Sequence, residues 1–98
     1  MAEPLPPWRR EMALDRAEFL RCLPHALAGR PWQASGDGFV VDTAGGRVLI
    51  RLGPTGERRI AGLRLPSTPV ELDFGACSAD AAHALLRDFA RGFQRGGG

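Results

Sequence analysis

Between residues 31 and 76 the chain alternates short apolar runs with breaks of glycine and proline. The breaks are Gly36-Asp37-Gly38, Gly45-Gly46, Gly53-Pro54-Thr55-Gly56 and Pro66-Ser67-Thr68-Pro69. Each has the length and residue types of a tight hairpin connection, which predicts five strands in an antiparallel meander.

Helical periodicity flanks the meander on both sides. Asp15 with Glu18 three residues on forms an Asp variant of the capping box, and Phe19, Leu20, Leu23 and Leu27 recur on one face. Pro24 deletes a helix hydrogen bond and clashes with the preceding turn, so a kink or an ending is expected near Leu23, with Gly29 as a stop. The second helix has Ser78 as its N-cap, Asp80 against the helix dipole, and a buried stripe of Ala82, Leu85, Leu86, Phe89 and Phe93 running to about Gln94. Arg87, Arg91 and Arg95 share its exposed face, where they offset the partial negative charge of the C-terminus.

Turns set register, and register assigns faces. A loop at Asp37-Gly38 puts Ser35 opposite Val40, and a turn at Gly45-Gly46 puts Val41 opposite Ile50 and Phe39 opposite Leu52. A turn at Pro66–Pro69 puts Leu65 opposite Val70, Leu63 opposite Leu72, and Arg64 opposite Glu71 as an exposed ion pair. Trp32, Phe39, Val41, Ile50, Leu52, Leu63, Leu72 and Phe74 then point inward, with Val48, Leu65 and Val70 on the same face. One apolar sheet face and one apolar face on each helix predict an α+β fold: a two-layer sandwich in the order helix, five-stranded antiparallel meander, helix, with both helices on one face of the sheet.

The outer face is less regular. With the Gly53–Gly56 loop as a hairpin, Leu49 comes opposite Ile60 and Arg51 opposite Arg58, with Val40 beside them. Aliphatic residues clustered on adjacent strands and rimmed by charge mark a contact surface. The expected function is a non-catalytic protein-interaction module acting through Val40, Leu49, Arg51, Arg58 and Ile60, with a homodimer as one form. An alternative is anion or nucleic-acid binding through Arg47, Arg51, Arg58, Arg59 and Arg64. A third reading is a small-molecule pocket between helices and sheet, opened at Pro24 and lined by Cys22, His25 and Trp32.

Composition narrows these readings. The chain has 98 residues, enough for one core, and is 44% hydrophobic and 24% charged, ordinary for a globular domain. All basic residues are arginine, a bias spread over the whole chain that suits a GC-rich bacterial genome more than one phosphate site. The net charge is only +2, short of a nucleic-acid footprint, so nucleic acid is not the expected partner. No apolar run reaches the roughly 20 residues of a membrane span, and no secretory signal follows Arg9-Arg10, so no membrane contact and a cytoplasmic location are expected.

Catalytic chemistry has no foothold in the pattern. Cys22 and Cys77 lack metal-ligand spacing and are expected as reduced thiols. His25 and His83 lie on different helices, and Glu71 with Asp73 would share an open face beside arginine, the opposite of what a general acid needs. No enzyme activity, metal site or cofactor is expected. Residues 1–12, with Pro4-Leu5-Pro6-Pro7 as a polyproline-type pattern, are expected to form a flexible arm, 13–95 the single domain, and 96–98 a glycine tail.

Overall fold

A computed structural model describes residues 5–96, with side chains as far as Phe93. Along the chain run β1 (Trp8–Met12), α1 (Arg16–Ala26), β2 (Trp32–Ser35), β3 (Gly38–Thr43), β4 (Gly46–Leu52), β5 (Gly56–Ile60), β6 (Leu63–Asp73) and α2 (Ala79–Gly96). The fold is mixed α+β around an antiparallel sheet, in the order β1-β6-β4-β3-β2, with β5 paired to β6 alone. The helix–meander–helix order is therefore corrected. Among the described residues a strand precedes α1, six strands replace five, and β6 crosses to lie between β1 and β4.

The stretch expected as a flexible arm supplies that extra strand. Trp8 faces Leu72 and Met12 faces Thr68, so β1 forms one edge of the sheet. Trp8 and Met12 pack partly buried against the core, while Arg9 points outward and meets the Glu71 carboxylate at 2.8 Å. Trp8 meets Phe89 edge to face at 5.8 Å, with the Arg10 guanidinium 5.0 Å from the indole. Pro4 of the polyproline pattern lies outside the described residues, as do residues 97 and 98 of the tail.

α1 starts as its sequence dictates. The Asp15 side chain accepts from the Glu18 N–H at 2.8 Å and Glu18 returns the bond, a complete capping box. The helix passes through Pro24 and ends at Ala26, one turn beyond the ending expected near Leu23. Pro24 is exposed, so its ring projects away from the core while Leu23, Ala26 and Leu27 fill the space beneath. Arg30 then ties the helix end to α2, donating to the Leu27 carbonyl at 3.1 Å and to Asp88 at 2.9 Å.

The sheet's two faces follow strict alternation. Val41, Val48, Ile50 and Leu72 are fully buried, and between them Asp42, Leu49 and Arg51 are exposed. Phe19 of α1 stacks on Phe39 of β3, and Phe19, Phe89 and Phe93 close the core between the two helices and the sheet. The first two hairpins turn one residue earlier than their glycines suggested. Ser35 faces Gly38 and Val41 faces Val48, each pairing displaced by two positions from expectation. A two-residue displacement preserves which face a side chain takes, so the inward set of β2 to β4 stands.

The second half of the meander is rebuilt. Neither Gly53–Gly56 nor Pro66–Pro69 is a hairpin turn. Leu52 faces Val70 and Gly56 faces Ser67, four steps along one strand against three along the other. β4 and β5 are thus one bent strand beside β6 with a single-residue bulge between them. The cause is Pro69, whose carbonyl accepts from the Gly53 N–H at 2.9 Å but which has no N–H to return. The true turn is Ala61-Gly62, both at positive φ (49° and 84°), joining Ile60 to Leu63. Beyond the bulge, β5 and the first half of β6 leave the sheet as a two-stranded arm.

Thr68 anchors the root of this arm. It is fully buried, and its hydroxyl donates to the Leu14 carbonyl at 2.6 Å and lies 2.7 Å from the Thr55 hydroxyl. Replacing Thr68 by valine keeps the volume and strands the Leu14 carbonyl. The expected loss is about 1–3 kcal/mol, read as a lower urea midpoint. An unchanged midpoint would mean that water satisfies the carbonyl in the variant.

Candidate interaction surface

The arm comprises all of β5 and residues 63–67 of β6. Every residue of β5 is exposed, and the tip carries Ile60 at 51% and Leu63 at 63% exposure, the largest values among the exposed large hydrophobic residues. Leu63, expected in the core, is corrected by the pairing: it faces Ile60 across the turn and not Leu72. Leu72 instead lies between Trp8 and Ile50.

Register divides the arm into two faces. Ile60 pairs with Leu63 and Arg58 with Leu65, while Glu57 pairs with Pro66 and Arg59 with Arg64. Alternate pairs point to opposite sides, so Ile60, Leu63 and Leu65 share one face with Arg58. The other carries Glu57, Arg59 and Arg64. Arg59 and Arg64 stand directly opposite each other, an arrangement of like charges that destabilises a ladder. Arg64 reaches Glu57 at 3.9 Å, and among the described residues no ion pair involves Arg58 or Arg59.

The expected outer-face patch is not assembled. Val40 faces Leu49, half-buried and 37% exposed respectively, but Leu49 stands opposite Asp73 at one end of β6. Ile60 stands opposite Leu63 at the other end. About 30 Å of strand separates the two, at about 3.3 Å per residue. Arg51 lies opposite Glu71 and Gly38, not Arg58, and its guanidinium is 3.3 Å from both Glu71 and Asp73.

The five arginines of the anion-binding alternative are scattered too. Arg47 is held by Asp42 at 3.1 Å and Arg51 by its two carboxylates, which leaves Arg58, Arg59 and Arg64 together on the arm. Arg64 does not pair with Glu71, which is shared between Arg9 and Arg51. These exposed bridges each contribute under about 1 kcal/mol. Their effect is to cover the outer sheet face with neutralised charge.

No family model, curated protein or solved structure matches the chain. The surfaces therefore speak for themselves. Of the residues expected to line a pocket at Pro24, His25 is exposed and Cys22 and Trp32 are half-buried, while Leu23 and Ala26 are fully buried. Both cysteines are free, and the buried Cys77 sulfur sits 3.4 Å from the Thr43 hydroxyl. Among the described residues no cluster of three or more His, Cys, Asp or Glu could hold a metal ion, and no helix is long and apolar enough to cross a membrane. Arg87 and Arg91 are exposed on α2, while the side chain of Arg95 lies outside the described residues.

Two of the surface depressions flank β1. One, of about 550 Å³, lies on the outer face between β1 and β4, with Glu71 between Arg9 and Arg51. The other, of about 460 Å³, runs between β1 and α2 and is lined by Trp8, Met12, Leu14, Phe89 and Phe93. There Glu71 is matched by Arg9 and Arg51, Arg10 lies against the Trp8 indole, and Glu11 accepts from the Ser67 hydroxyl. The arm combines the two most exposed large hydrophobic side chains among the described residues with Arg58 and Arg59, which make no ion pair there.

Proposed function

We propose that this chain is a non-catalytic protein-interaction module whose contact element is the β5–β6 arm. The observation that supports this most is the exposure of Ile60 and Leu63 at the tip of a ribbon that buries neither of its faces. Exposed apolar groups gathered on a protruding element lose their hydration cost only when a partner covers them. Of the residues expected to act, Arg58 and Ile60 belong to this surface; Val40, Leu49 and Arg51 belong to the salt-bridged sheet face.

A photo-crosslinking side chain placed at Leu63 in cells that make the protein tests the reading. Protein adducts should form there and be absent when the same group replaces Arg87 on the exposed face of α2. Absence of adducts at Leu63, or equal yields at both positions, would overturn it.

A further inference from the structure

The arm has two open backbone edges, and they are not equivalent. The Pro69 carbonyl points toward β4, since it accepts from the Gly53 N–H. By alternation the odd-numbered residues of β6 face β4 and β5, and the even-numbered ones face the β1 side. β1 ends opposite Thr68, so beyond it the edge of β6 is open, and there Pro66 offers no N–H. That edge is blunted.

The edge of β5 carries no such block. Its residues Gly56, Arg58 and Ile60 pair with the odd-numbered Ser67, Leu65 and Leu63. The N–H and C=O groups of Glu57 and Arg59 therefore point away from the arm, and among the described residues no strand takes them. Such an edge is a template for another strand.

We propose that the occupant is β5 of a second copy, joined antiparallel across a two-fold axis at Arg58. The inference rests on the arm being the interaction element. Charge selects the register. With the axis at Arg58, Glu57 of each copy falls opposite Arg59 of the other, and the outward N–H and C=O groups of both residues are matched. Moving the axis to residue 57 would set glutamate against glutamate, and moving it to residue 59 would set arginine against arginine. In the chosen register each Arg59, opposed by Arg64 within its own arm, gains a carboxylate on its open side. The opposite face places Arg58 against Arg58, one like-charge contact set against the two Glu57–Arg59 attractions, and brings the two Ile60–Leu63 clusters onto one continuous surface. A closed two-fold pairing uses the same patch on both copies and leaves no further β5 edge for growth. The contact is small beside the roughly 800 Å² per partner of a standard interface, so association depends on concentration.

Charge reversal tests the pairing in the full chain. Sedimentation of the wild type up to about 1 mM should show a monomer–dimer equilibrium. Arg59→Glu turns both inter-copy attractions into repulsions, so the dissociation constant should rise roughly tenfold or more. The same change places a carboxylate opposite Arg64, so the arm itself is not weakened and a melting curve should show no loss. Glu57→Arg should weaken the dimer similarly, and the double variant Glu57→Arg/Arg59→Glu should restore it. A wild type that stays monomeric, or a double variant that fails to recover, overturns this partner. Crosslinks from Leu63 to a different protein would retain the arm as the contact element while removing the second copy, so the two readings fail separately.

Discussion

Replacing Phe19 by alanine should cost about 3–5 kcal/mol, a large share of what holds a domain of this size folded. Phe19 is fully buried, its ring centroid 4.9 Å from that of Phe93, 6.1 Å from Phe39 and 6.2 Å from Phe89. It therefore joins α1 to both α2 and the sheet. Truncation removes the transfer free energy of the ring and leaves a void walled by aromatic rings that cannot all move inward together. Native stability at about 0.05–0.15 kcal/mol per residue gives a domain of this length little margin. Urea denaturation followed by tryptophan fluorescence should show a midpoint far below that of the wild type. A shift worth under about 1 kcal/mol would mean that the rings repack around the gap.

Gly92→Val should destabilise by a comparable amount for the opposite reason. A Cβ at residue 92 would meet the Ala26 Cα at 2.5 Å and its Cβ at 2.7 Å. The Ala26 Cα is backbone and cannot swing aside, so the helices must separate or α1 must shift, and Phe19 and Phe93 lose contact as they do. Overpacking of this kind costs about 1–3 kcal/mol for a methylene or so, and valine adds more than that with a stiff χ1. Gly92→Ala is the informative companion. Its helix-propensity gain of about 1 kcal/mol opposes the clash, so its loss should be clearly smaller than that of valine. Thermal melts of the three proteins check the order; an alanine variant more stable than wild type would mean that the helix contact is looser than the geometry requires.

Where one residue type had one job, the sequence was legible. Asp15 and Glu18 marked the start of α1, Ser78 that of α2, and the alternation of Phe39, Val41, Val48 and Ile50 told the buried sheet face from the open one. Legibility failed where proline was read as a turn. Pro66 and Pro69 sit within one long strand, because Pro66 lies on an open edge and Pro69 is accommodated by a bulge. The turn that does exist, Ala61-Gly62, lacks the Asn-Gly or Asp-Gly signature that usually announces positive φ at both positions. The even placement of Ile60 and Leu63 about Ala61-Gly62 is the one sign of a hairpin that the sequence carries there. β1 was hidden because Arg9, Arg10 and Glu11 outweigh Trp8 and Met12 in any local window, and only its partner β6 makes a strand of it. The expected contact patch failed with the same turn, since Ile60 left the sheet along with the arm.

The pairing of β1 with β6 also shapes how the protein comes into being. Arg9 and Glu71 meet across 62 residues of chain, so β1 is synthesised several seconds before its partner, at about 5–20 residues per second. Through that interval the ribosome holds a nascent segment with an exposed tryptophan and no strand to receive it. Neighbouring strands can zip locally as they emerge, but the β1 edge must wait for a long loop to close, a step that slows folding.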